Sequence, residues 1–168
     1  MFKLYLLFLS FSISFGLVGQ SSIRQSLDDL NEGSVEYIQP KNLSSMKDMV
    51  ILDAREKDEF MVSHLENAIW SGYSNFDFSR IQTHIPNKES TIVVYCSIGV
   101  RSEDIGEKLL QAGYKNVKNL FGGIFLWKNL GYPVFDESGK ETEKVHAYSK
   151  EWGLLLTNGT KVYSTKKN

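Results

Sequence analysis

Cys96 is the single cysteine of a 168-residue chain, and four residues separate it from Arg101 in the run Cys96-Ser97-Ile98-Gly99-Val100-Arg101. A β-branched run, "STIVVY", precedes it, and an amphipathic stretch, "RSEDIGEKLLQAGY", follows. That order predicts a strand, a short glycine-containing loop and a helix. In such a turn successive backbone N–H groups curl into a nest for an anion, and Gly99 supplies tolerance of positive φ. The positive end of the helix faces the same space. A thiol held there is expected to favour its thiolate form. The same N–H groups would also stabilise an anionic substrate or a charged covalent adduct. Because the loop lacks a histidine base, activation rests on dipoles and N–H groups.

The competing reading is an inert, buried cysteine behaving as a small hydrophobe. The supporting residues read first as structural. Asp53 and Arg55 follow the apolar run "MVIL" and are expected to form a salt bridge that fixes loops beside the nest. Arg101, at the end of the loop, is expected to bond loop carbonyls or a carboxylate and so hold the cradle open. Ser102 reads as a helix-capping hydroxyl, and Glu59 as a solvated or loop-anchoring carboxylate. His64 reads as a structural imidazole, Gly122-Gly123 as a tight turn beneath the loop, and Trp127 as core. His84 and His146 have no metal-ligand spacing with each other or with Cys96, so no metal site is expected.

Strands and helices alternate along the chain at a spacing that predicts an α/β domain around a mainly parallel sheet. Strands are expected at "VEYIQ", "MVILD", "NAIW", "STIVVYC" and "NVKNL". Helices are expected from Pro40 to about Met46, over "EKDEFMVSHL" with Phe60 and Leu65 inward, and over "NFDFSRIQTHI". A further helix follows Arg101, with Ile105, Leu109 and Leu110 inward and Gly113 closing it. The last covers "IFLWKNLGYPV". Sites in such sheets lie beyond the carboxyl ends of strands, where Cys96 and Asp53 both fall.

The outer parts differ in character. Residues 1–20 carry an early lysine and an apolar stretch from Leu4 to Val18, which reads as a secretory signal and predicts a periplasmic or secreted protein without stable membrane insertion once the signal is removed; the alternative reading is an uncleaved membrane anchor. Residues 21–33 read as a linker or a first short helix, 34–135 as the α/β domain, and 136–168 as a C-terminal extension. Asn158-Gly159 between apolar runs predicts a β-hairpin in that extension. With a net charge of −1, nothing points to a nucleic-acid partner.

Two segments resemble the signatures of rhodanese-like domains. "ILDAREKDEFMVSHLENAIW" is similar to the pattern L-D-x-R-x-x-x-E-[FY]-x-x-G-H-I-x-x-A, with Ser63 in place of its glycine. "IVVYCSIGVRSEDIGEKLLQAGYKNVKNLFGGIFLWKNLGYPV" is similar to C-x-x-G-x-R-S followed by A-G-[FY], V-x-x-L-x-G-G and W-x-x-x-G-x-P-V. The resemblance implies a five-stranded, mainly parallel sheet flanked by helices. It also implies a sulfurtransferase in which Cys96 accepts sulfane sulfur, residues 97–101 cradle the persulfide, and no cofactor is used. A small sulfur-containing anion or a persulfide would be the donor, and cyanide or a thiol, protein thiols included, the acceptor. Phosphatases with a cysteine nucleophile have a loop one residue longer, which disfavours that chemistry. Thiosulfate users of the family often carry a cation just after the cysteine. Ser97, Ile98 and Val100 are neutral, so thiosulfate is expected to be a poor donor. The alternative from another class is a rhodanese-like binding or persulfide-sensing module that acts with a protein partner without turnover.

Overall fold

The computed structural model describes residues 22–163; the expected signal segment lies outside the described residues. Five short strands form one parallel sheet: β1 (Tyr37–Ile38), β2 (Met49–Asp53), β3 (Ile69–Trp70), β4 (Thr91–Tyr95) and β5 (Asn116–Leu120), in the order β1-β5-β4-β2-β3. The register pairs Asp53 with Tyr95, so β2 and β4 end level with each other.

The apolar run Ile92 to Val94 of β4 has a direct cause: both faces of the sheet are covered. Val93 and Tyr95 enter one core with Ile23, Leu27, Phe121 and Phe125. Ile92 and Val94 enter the other with Leu52, Ile81, Ile105 and Leu109. The helices supplying these layers are α1 (residues 22–30), α2 (Pro40–Leu43), α3 (Lys57–Val62), α4 (Phe78–His84), α5 (Val100–Gln111) and α6 (Gly123–Asn129). Residues 22–30 are therefore part of the packed body and not a free linker: Ile23 and Leu27 of α1 are buried.

Two inward assignments change. Ile105 and Leu109 are buried, but Leu110 is exposed. Adjacent positions on a helix are about 100° apart, and the stripe has no room for both leucines. On α3 the buried residue is Glu59, while Phe60 is half-buried and stacks on His64 at 4.1 Å.

An antiparallel pair forms where the domain passes into the extension, between β6 (Val134–Phe135) and β7 (Glu141–Thr142). Asn158-Gly159 does not turn a hairpin. It leads from a 3-10 helix, η1 (Trp152–Leu155), into β9 (Thr160–Val162), which pairs parallel with β8 (Lys144–His146). The apolar run before it is pulled onto the end of α6 instead. Asn129 donates to the Leu155 carbonyl and accepts from Thr157 and Asn158 N–H, while Leu156 is fully buried in the main core. Val145 and Ala147 join the same core.

Candidate functional site

Cys96 directly follows β4 and α5 starts at Val100, so the loop spans only four residues, Cys96 to Gly99. Gly99 makes the tight turn with φ +118°, a conformation that other residues rarely adopt. Its N–H donates to Cys96 Sγ at 3.2 Å. Ser102 Oγ lies 3.5 Å from the same sulfur. Cys96 is buried, at 1% exposure.

The loop carbonyls are tied outward. Cys96 O accepts from Ile124 N–H and Ser97 O from Phe125 N–H, each at 3.0 Å. The Gly99 carbonyl accepts from Asn119 Nδ2 at 2.8 Å and Asn31 Nδ2 at 3.0 Å. With the acceptors anchored elsewhere, the N–H groups of the first turn of α5, Val100 to Ser102, are left without intrahelical partners. That arrangement suits an anion beside the sulfur. Gly122-Gly123 runs beneath it as expected: a Cβ on Gly123 would lie 2.3 Å from the Cys96 carbonyl oxygen.

Arg101 meets the expected carboxylate, and that carboxylate is Glu59, with Nη1–Oε2 at 2.7 Å and Nη2–Oε1 at 2.9 Å. Its Nη2 also donates to Ser97 Oγ at 2.9 Å. Glu59 holds α3 as well, since its carboxylate accepts from Glu56 N–H in a reciprocal capping box. Burial alone would raise the Glu59 pKa and lower that of Arg101. Their mutual bonds win, leaving Glu59 below and Arg101 above their ordinary values.

Asp53 and Arg55 form the expected salt bridge at 2.6 Å, fully buried. Arg55 also donates to the Ser63 carbonyl, and Tyr95 Oη donates to Asp53 at 2.6 Å. Tyr95 Oη accepts from Leu65 N–H at 3.1 Å. Burial and the adjacent Asp53 push the Tyr95 phenol well above its ordinary pKa, so it acts as a neutral donor. The cluster fixes the carboxyl ends of β2 and β4, and none of its members bonds Cys96. His64 Nδ1 sits 3.2 Å from the Phe60 carbonyl, a structural contact.

Ser102 is not a cap. The N-cap position belongs to Gly99, and the Ser102 hydroxyl donates to Asn119 Oδ1 at 2.7 Å. Asn119 and Asn31 join the site without having been among its sequence candidates. A polar amide at the end of the otherwise apolar side of the "NVKNL" strand is the available signal for the former.

A cavity of about 170 Å³ opens over the loop, lined by Cys96, Ser97, Ile98, Val100 and Arg101 together with Leu30, Tyr148 and Trp152. Residues 39–130 match the Rhodanese-like domain family. The chain belongs to that family. The rhodanese-like chain is 28% identical over 96 residues to the thiosulfate sulfurtransferase GlpE of Coxiella burnetii, covering 56% of this chain and 85% of the relative. It is 34% identical over 134 residues to a tRNA uridine(34) hydroxylase of Bacillus mycoides, covering 66% of this chain but only 40% of that protein. In structure it is similar to a rhodanese-related protein of Thermoplasma volcanium, with a TM-score of 0.53 and 31% identity over 61% of this chain and 99% of the other. The thiosulfate sulfurtransferase relative, together with the family match, supports a sulfurtransferase-type role. Among the described residues no helix is long and apolar enough to cross a membrane.

Proposed function

We propose that this rhodanese-like protein moves sulfane sulfur through a persulfide on Cys96. The Gly99 N–H bond to Cys96 Sγ, at the junction of β4 and α5, supports this reading most directly. The thiolate attacks the outer sulfur of the donor. A new S–S bond forms, the donor's own S–S bond breaks, and its electron pair leaves with the residual group, which is sulfite when the donor is thiosulfate. The persulfide anion then lies against the N–H groups of residues 97–101. A thiol or cyanide attacks its terminal sulfur and releases the Cys96 thiolate. Arg101 serves as a positioning residue, with its charge offset by Glu59 and its fork holding Ser97. Asp53, Arg55 and Ser102 support the loop at one remove. The apolar stretch from Leu4 to Val18 supports an exported location, periplasmic or secreted.

The test is turnover of a sulfane-sulfur donor with cyanide, followed as thiocyanate, for the wild type beside Cys96→Ser and Cys96→Ala. Turnover in the wild type alone is expected. Equal rates in all three proteins would overturn the assignment of Cys96.

A further inference from the structure

The cavity over Cys96 is walled largely by apolar side chains, and two of its walls come from the C-terminal extension. Tyr148 and Trp152 both lie outside the family match over residues 39–130. Leu30, at the end of α1, completes the rim and is 53% exposed. Among the described residues, the cavity floor offers an anion no unpaired cation. Ser97, Ile98 and Val100 are neutral, and Arg101 is held by Glu59 while its guanidinium sits 4.9 Å from the Tyr148 ring centroid.

Tyr148 adds a second, independent observation. Its backbone has φ +63°, unusual for a bulky residue. It is held there in part by its N–H donating to His146 Nδ1 at 3.2 Å. The residue is nevertheless 51% exposed. Strain maintained by the surroundings to keep an aromatic ring at the mouth of a cavity points to a task for that ring. Size agrees as well, since a cavity of about 150 Å³ accommodates benzene in a well-studied engineered case, and this one measures about 170 Å³.

We propose that Tyr148 and Trp152 are specificity-determining residues that favour donors carrying their sulfane sulfur on an apolar organic group of about one aromatic ring over inorganic thiosulfate. The proposal rests on the persulfide reading of Cys96. For an arenethiosulfonate, the Cys96 thiolate bonds to the outer sulfur and the sulfur–sulfonyl bond breaks. Its electron pair departs with the arenesulfinate, and the persulfide anion remains.

The experiment compares benzenethiosulfonate with thiosulfate as donors to the full chain, with cyanide as acceptor, in wild type, Trp152→Ala, Trp152→Phe and Tyr148→Gly. Glycine at 148 removes the ring without straining the backbone. The ratio of kcat/KM for the aromatic donor over thiosulfate is expected to fall about tenfold in Trp152→Ala and in Tyr148→Gly, and to be largely retained in Trp152→Phe. A ratio unchanged in both ring-removing variants overturns the proposal. Alkylation of Cys96 by N-phenylmaleimide against iodoacetate reads the same wall without sulfur transfer. A fall in that ratio in both variants, in a protein that forms no persulfide from either donor, would support the aromatic wall while overturning the sulfur-carrier reading. An unchanged ratio would overturn the wall itself.

Discussion

Arg101 grips Glu59 with two parallel N–H···O bonds of 2.7 and 2.9 Å, tying the first turn of α5 to α3 across the mouth of the site. Both side chains are largely buried, so the pair is expected to be strongly coupled. Replacing either partner by Ala leaves the other charge short of compensation and should cost about 3 kcal/mol. The double variant should lose less than the sum of the singles by about 1–3 kcal/mol. Arg101→Lys keeps the charge but loses the fork, and should recover only part of the stability. Urea denaturation of the four variants beside the wild type checks this, and strict additivity of the two alanine substitutions would contradict it.

Tyr95, the residue before Cys96, is hydrogen-bonded to the buried Asp53–Arg55 pair. Tyr95→Phe removes the donor to Asp53 and the acceptor for Leu65 N–H together. A loss of about 2–3 kcal/mol is expected, because a bond to a charged group disappears and a buried N–H is orphaned. A change below about 0.5 kcal/mol in thermal or urea unfolding would show that the cluster does not brace the strand ends.

Gly123 and Gly113 separate two costs of adding a methyl group. Both have positive φ, +51° and +92°, but only Gly123 faces backbone, with Cys96 O at 2.3 Å from its built Cβ. Gly113→Ala should cost about 1 kcal/mol through backbone strain alone. Gly123→Ala should cost more and displace the Cys96 loop, with a large loss of sulfur transfer. Equal costs in the two variants, with transfer intact, would mean that the loop does not need the close approach of α6.

The pH dependence has two steps of the same sign. Burial lowers the His146 pKa below its ordinary 6.5, so the unfolded chain binds that proton more readily. Its contribution is complete above about pH 6.5 and is lost as the pH falls below it. Glu59, held below its ordinary 4.5 chiefly by Arg101, contributes fully above 4.5 and loses that contribution at lower pH. Hydrogen exchange, corrected for intrinsic rate, should therefore rise first in residues 144–162 and later in β4. His146→Gln should flatten the upper step. Simultaneous loss in both regions would refute the order.

Much of the fold is legible in the amino-acid sequence, because its cause is local. The unbroken apolar runs of β2 and β4 come from a sheet covered on both faces, and Gly99 marks the turn into α5. The features that are not legible depend on distant partners. Nothing near Asn158-Gly159 in the chain reveals that Asn129 will capture the preceding backbone. Glu59 gives no local sign that it is buried, because its partner is 42 residues away. Asn31 and Asn119, which both donate to the Gly99 carbonyl, converge only once α1, β5 and the loop are assembled. The cysteine loop itself is legible, because a short contiguous segment carries its glycine turn, its thiol and the start of its helix.

The most direct test of the central claim is intact-mass spectrometry of the protein after exposure to thiosulfate or an organic persulfide donor, beside Cys96→Ser. The account predicts a gain of one sulfur atom in the wild type only, removed by cyanide. Absence of that adduct with every donor, or the same adduct on Cys96→Ser, would contradict it.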